Sequence, residues 1–276
     1  MLGRLINSLI TVVKAIGVII MMVTTTEAAS KFKLRPPSYY FTDRGTLALL
    51  TAAMAGDMRT AQLAVAQGAN PNDEGPLDNK YNRLRPLHYA IAANNKEAVK
   101  VLISVGADPE LSALGFGRSF LFAMTLENIG MLSLLLDLAP ISTLSKDTME
   151  YIIFEAASQP CWECLQLFLN RGAPIDYPDG AGYTVMMCAM DIQDYDMAEL
   201  LLKKGASVHV ETKNGVTPAY SVEFHLKKYI PGSTTYNKVL HLKEMMAERG
   251  AVFPAPSPAE VRARRERANA SSHHKD

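Results

Sequence analysis

The chain has no excess of charge: 28 basic side chains meet 28 acidic ones over 276 residues. That balance removes any whole-chain argument for nucleic acid or an anionic surface as partner. The motifs of common chemistries are missing as well. There is no Gly-x-Ser-x-Gly, no His-Glu-x-x-His and no Gly-x-x-x-x-Gly-Lys, so no nucleophile elbow, zinc-protease pair or phosphate loop is spelled out. Gly115-x-Gly117 and Gly180-x-Gly182 have no third glycine and no preceding strand pattern, and read as turn glycines. His273 and His274 have no further ligand near them in sequence, so no metal site and no cofactor is expected.

Long apolar runs are scarce too. The N-terminal run from Ala15 to Val23 is only nine residues, against the roughly 20 that span hydrocarbon. Arg4 and Lys14 precede it; three threonines and Ala28-Ala29-Ser30 follow. A basic start, an apolar middle and a small-residue cut predict a secretory signal over residues 1–29. The rival is a membrane anchor from Leu5 to Thr26, which would carry Lys14 inside it at a cost. With a leader, the protein would be periplasmic or secreted. Cysteine is sparse and odd in number, three residues. In an oxidising compartment Cys161 and Cys164 would pair and leave Cys188 free, with Cys164–Cys188 as a second pairing. Cys161-x-x-Cys164 also admits a thiol-redox reading, but the βαβ setting of that chemistry is absent.

What is present is a repeat. Gly68-Ala69-Asn70-Pro71, Gly106-Ala107-Asp108-Pro109, Ala139-Pro140, Gly172-Ala173-Pro174, Gly205-Ala206 and Gly250-Ala251 recur at spacings of 38, 33, 33, 33 and 45. The clearest unit is Arg85-Pro86-Leu87-His88-Tyr89-Ala90, then Glu97 to Ile103, then Gly106. It reads as a short helix, a tight turn, a second helix and a glycine stop. Helices this short bury too little alone and need neighbours.

A period of 33 with this content resembles the ankyrin repeat, in six copies over residues 45–253. The resemblance implies an all-α solenoid of stacked helix-turn-helix units with projecting β-turn loops. His88 holds the place of the family's Thr-Pro-Leu-His histidine, which implies a structural role bonding neighbouring turns. Arg85 replaces the usual Thr, weakening the helix-start hydrogen bond there. Repeat three is degenerate, and Ala139-Pro140 replaces its glycine stop. In repeat four Pro160 falls at the turn and Cys161-Trp162-Glu163-Cys164 opens the outer helix. Repeat five restores the pattern with Asp179-Gly180-Ala181-Gly182-Tyr183-Thr184. Repeat six holds twelve extra residues, placed around Lys227 to Tyr236. Residues 30–44 read as a linker whose aromatics, Tyr39 to Phe41, cover the open end of the stack. Residues 254–276 read as a disordered basic tail.

The resemblance further implies a non-catalytic scaffold that binds another protein through its concave face and projecting turns. The contact positions it maps are Tyr81, Asn82, Leu84, Gly117, Tyr183, Asp191 and Ile192. Phe116, Arg118 and Tyr177 lie in the same turns, and aromatics with arginine are the types that anchor interfaces. No nucleic acid or small-molecule substrate is expected, and a membrane only if the N-terminal segment is uncut. Neutralising or protecting an enzyme or toxin is one concrete version. A redox protein using Cys161 and Cys164 and a membrane-tethered scaffold are the alternatives.

Overall fold

The computed structural model describes residues 33–76, 83–158 and 161–272. Among them are fourteen α-helices and no strand. They gather into two compact units, one ending at Leu144 and the other starting at Ser145. The N-terminal signal or anchor, Tyr81, Asn82, Pro160, His273 and His274 lie outside the described residues.

In the first unit, α1 (Pro37–Tyr40) leads into three hairpins: α2 (Arg44–Met54) with α3 (Met58–Ala66), α4 (Pro86–Ala92) with α5 (Lys96–Ser104), and α6 (Ser119–Thr125) with α7 (Ile129–Leu138). Each hairpin is punctuated by the same local chemistry. The inner helix ends on a left-handed residue, Gly56, Asn94 or Glu127, with φ of 72°, 51° and 54°. The next residue, Asp57, Asn95 or Asn128, donates its N–H back to a helix alanine, Ala52, Ala90 or Ala123, in a Schellman closure. Its side chain then accepts the N–H three residues on, at 3.0 Å in each case. Such a cap is worth about 1 kcal/mol.

The outer helices stop at Gly68 and Gly106, φ 99° and 102°, a conformation glycine takes without a Cβ clash. The alanine after each donates back to the helix, Ala69 to Ala64 O and Ala107 to Leu102 O. At Ala139-Pro140 this closure is replaced. Pro140 has no N–H to give, and the chain turns instead through a 3₁₀ segment, Ile141–Thr143. Leu49, Leu50, Leu87, Leu102, Phe120 and Met131 are fully buried between the helices. Tyr40 and Phe41 are buried and set their rings against Tyr89, centroids 5.9 and 6.4 Å away, while Tyr39 is exposed.

The second unit holds α8 (Lys146–Ser158) with α9 (Trp162–Asn170), α10 (Val185–Asp191) with α11 (Tyr195–Lys203), and α12 (Pro218–Leu226) with α13 (Thr234–Glu248), followed by α14 (Pro258–Ser272). The same punctuation returns at Gln193 (φ 65°), Asp194 and Gly205. The α8–α9 hairpin breaks it. The cap position there is Cys161, which makes no side-chain cap bond. Cys161 is instead joined by a disulfide to Cys164, three residues on. The covalent link spans the same two positions that the Asp or Asn cap bond spans elsewhere.

Two expectations change here. The twelve extra residues of the last repeat are not all loop. Compared with α4 and α5, two lengthen α12, four lengthen the turn and six lengthen α13. The stretch expected as a disordered tail is helical as α14. Among the described side chains of this helix Val261 alone is fully buried, which is why its pattern reads as solvated. Arginines hold it to the turn before α12: Arg262 donates to Asn214 O (2.6 Å), Arg265 to Thr212 O (3.0 Å) and Lys213 O (3.3 Å), and Arg264 pairs with Glu211. A Cβ on Gly215 would lie 2.4 Å from Pro258 O, so glycine permits the approach.

Candidate interaction surfaces

The functional reading concerns two regions, one in each unit. In the first, the turn at residues 112–118 is closed by a bridge between Ala113 and Gly117. His88, fully buried on α4, places Nε2 2.9 Å from Gly117 O. A carbonyl only accepts, so Nε2 carries the proton and Nδ1 is left without a partner. Burial drives the imidazole pKa down to about 4. The histidine is thus a neutral strut for the turn, in agreement with the structural role the resemblance implies.

Arg85 does more than its helix-start position suggested. It makes no cap bond, but its buried guanidinium donates to Ser112 O (2.8 Å), Asn72 O (2.5 Å) and Glu74 Oε1 (2.6 Å). It ties two successive connections together. Glu74 also pairs with Arg83 at 2.5 Å, and the two arginines, Arg83 first, hold its carboxyl below the usual range. Glu74, Arg83, Arg85, Leu114 and Gly117 line an open cavity of about 440 Å³.

In the second unit, the turn at 179–184 is knitted by the Asp179 carboxylate, whose Oδ1 accepts from Ala181 N and Tyr183 N at 2.8 Å each. Between α8 and α10 lies a cavity of about 290 Å³, lined among others by Phe154, Glu155, Ala157, Cys188 and Ile192. Cys188 is a free thiol, half-buried. Burial, then the charges of Asp179 and Asp191, push it up to about 11. Burial and the same carboxylates, Asp191 first, also raise Tyr183.

The predicted contact residues divide. Leu84 is corrected: it is 0% exposed and belongs to the core, because the chain turns inward one residue before the helix-opening Arg85. Phe116 is half-buried, its ring edge-on to Phe122 at 5.2 Å. Gly117 contributes the carbonyl that His88 holds. Arg118 donates to Glu110 O at 3.1 Å. Tyr177 donates its hydroxyl to Lys146 O at 3.2 Å. Tyr183 is half-buried, Asp191 is exposed, and Ile192 is 59% exposed. Phe116, Gly117 and Arg118 share one turn of the first unit; Tyr183, Asp191 and Ile192 flank α10 of the second.

Sequence reasoning missed a buried polar chain beside Asp191. His225 Nε2 lies 3.4 Å from Asp191 Oδ1, and its Nδ1 3.0 Å from Tyr195 OH. Tyr195 OH is 2.7 Å from Tyr229 OH, which donates to Gln193 Oε1 at 3.0 Å. Burial, before the bond to Tyr229, pushes the Tyr195 hydroxyl pKa upward. The signal in the sequence was the register: His225 follows Ile192 by 33 residues.

The family model for ankyrin repeats (3 copies) matches residues 26–113, and that for ankyrin repeats (many copies) matches residues 153–202. The chain is an ankyrin-repeat protein. Its fold is similar to the crystal structure of the ankyrin repeat domain of Bcl-3, at 23% identity and a TM-score of 0.55, over 78% of this chain and 92% of that one. Among curated proteins, it is similar to the mouse (Mus musculus) B-cell lymphoma 3 protein homolog, 28% identical over 51% of this chain and 33% of that protein. It is also similar to the Homo sapiens transient receptor potential cation channel subfamily A member 1, 26% identical over 60% of this chain and 15% of that protein. The chain thus spans a third or less of these relatives' length. The ankyrin repeat as a class mediates protein–protein interaction.

Proposed function

We propose that this ankyrin-repeat protein is a non-catalytic scaffold that binds one partner protein through its inner helices and projecting turns. The observation that carries the reading is the exposure of Ile192 beside the cavity between α8 and α10. An exposed aliphatic next to a cavity of this size is how interfaces receive an anchor. Phe116 and Tyr183 supply half-buried aromatics on the turns. The reading extends to export by residues 1–29, supported by the Cys161–Cys164 disulfide, a bond that persists in oxidising compartments. Holding an enzyme or toxin inactive is the version that export favours.

The dithiol reading gains no support. Among the described residues there is no strand, so the βαβ setting of that chemistry is not found around Cys161 and Cys164. The tethered-scaffold alternative concerns residues 5–26, outside the described ones; among the described residues no helix is long and apolar enough to cross a membrane. Intact mass of the purified protein separates a removed leader from a retained anchor.

The binding test is site-specific photo-crosslinking in the producing cell. A crosslinking residue at Ile192, Tyr183 or Phe116 should trap a single protein, and one at the exposed outer-helix Lys100 should not. Equal trapping from all four positions, or from Lys100 alone, refutes the proposed face.

A further inference from the structure

The second unit's inner-helix face has a chemical bias that the protein-binding reading does not name. The segments that build it, residues 146–158 and 177–192, carry five carboxylates (Asp147, Glu150, Glu155, Asp179 and Asp191) against one base, Lys146. The chain as a whole is balanced, so this is a local concentration. The carboxylates come from three elements. Glu155 is on α8 and lines the 290 Å³ cavity. Asp179 sits in the turn, and Glu150 approaches that turn, accepting from Gly180 N at 3.2 Å. Asp191 ends α10 and is exposed. Asp179 and Asp191 both act electrostatically on Cys188, inside the cavity. The cavity wall itself is largely apolar: Phe154, Ala157, Ala189 and Ile192.

The bias has a boundary. One repeat further on, the Lys228 ammonium lies 4.2 Å from the centre of the Phe224 ring. The inner position that is Asp191 on α10 becomes Phe224 on α12, 33 residues later. Acid thus gives way there to an aromatic with a cation over it.

The geometry points to a basic, apolar-anchored polypeptide segment as the occupant of this face. One aliphatic or aromatic side chain enters the cavity between α8 and α10, and flanking lysines or arginines meet Glu155, Asp179 and Asp191. The inference rests on the protein-binding reading above and specifies the partner's chemistry. An acidic segment would bring like charges together at the rim, which costs affinity. A neutral one would make no use of the excess of acid around the cavity. A small apolar ligand would fill the cavity and make no use of the acids around it.

The test uses the full oxidised chain and three fluorescein-labelled peptides in a Gly/Ser background. The first has one central leucine flanked by lysines, the second has glutamates in place of the lysines, and the third keeps the lysines but has serine in place of the leucine. Anisotropy titrations at low salt should show the lysine–leucine peptide binding at least about tenfold more tightly than either control, since one buried leucine and several charge pairs each supply about that factor. Raising the salt should weaken it, because the rim is exposed. Glu155→Lys combined with Asp191→Lys should reverse the preference towards the glutamate peptide, and Ile192→Ser should weaken the lysine–leucine peptide alone. Circular dichroism and the thermal midpoint check that each variant folds.

Equal binding of the lysine and glutamate peptides, no binding of either, or no response to the double reversal overturns the inference. If the crosslinks from Ile192 and Tyr183 persist while the peptides fail in this way, the scaffold reading stands and only the stated partner chemistry falls.

Discussion

Acid should loosen the first unit through His88, in a pH window well above that of the carboxylates. The imidazole is fully buried, donates from Nε2 to Gly117 O and has nothing to stabilise a second proton on Nδ1. Its pKa is lowered from 6.5 to about 4 in the folded chain. The unfolded chain therefore binds the proton first as pH falls, and stability rises with pH across the interval. The contribution is fully present above 6.5 and is lost progressively down to about 4. From about pH 7.5 to pH 5 the loss comes to about 2 kcal/mol, and the whole interval to about 3 kcal/mol. With a urea slope of about 2 kcal/mol/M, the first figure moves the midpoint by about 1 M. The carboxylates held low, such as Asp43, Asp57 and Glu74, lose their share only as pH falls below their ordinary values, so pH 5 separates the two effects. The assay is urea unfolding of the wild type and of His88→Asn, followed by far-ultraviolet circular dichroism at both pH values. The asparagine amide keeps a donor for the turn and does not titrate. The wild-type midpoint should fall with acid by about 1 M more than the variant's. Parallel shifts in the two proteins would refute the reasoning.

Three further outcomes follow from the geometry. Arg85→Ala strips three donors from Asn72, Ser112 and Glu74 and should lower stability by about 2–4 kcal/mol; an unchanged thermal midpoint would deny the cross-tie. Gly106→Ala puts a Cβ at φ 102° and should cost about 1–2 kcal/mol in urea unfolding, whereas the same change at Gly180, which has open space around it and no left-handed φ, should be near neutral. Thiol titration of the native oxidised chain should find one slow thiol, Cys188, slowed by burial and a pKa of about 11, and three after reduction and unfolding; three fast thiols without reductant would contradict the pairing.

The repeat was legible because it is written twice in every hairpin. The glycine-alanine stop and the Asp or Asn cap both have one backbone purpose, so their spacing carries the architecture directly. Even the break at Cys161 was visible, and so were Cys161 and Cys164 as a candidate pair; that their bond stands in the place of the cap was not. What could not be read were features that depend on partners distant in sequence. Arg85 looked like a weak cap because its three acceptors lie 11 to 27 residues away. Leu84 looked like a turn contact because loop composition does not say which way a side chain faces. The α14 helix escaped because it is held by arginines on main-chain oxygens and by one buried valine, which leaves no apolar stripe to detect. Of the candidate surface, Ile192 and Asp191 came from the family resemblance mapped onto the repeat register. The cavity beside them needed Phe154 and Cys188 to be placed side by side from two repeats.

The linkage between Cys161 and Cys164 makes one rung of the repeat array depend on redox state. Five of the six hairpins set the first turn of their outer helix with a serine, asparagine or aspartate, groups indifferent to redox conditions. The remaining one entrusts that turn to a pair of sulfur atoms. A reduced chain would therefore have a single frayed rung, and oxidation of the two thiols would close it.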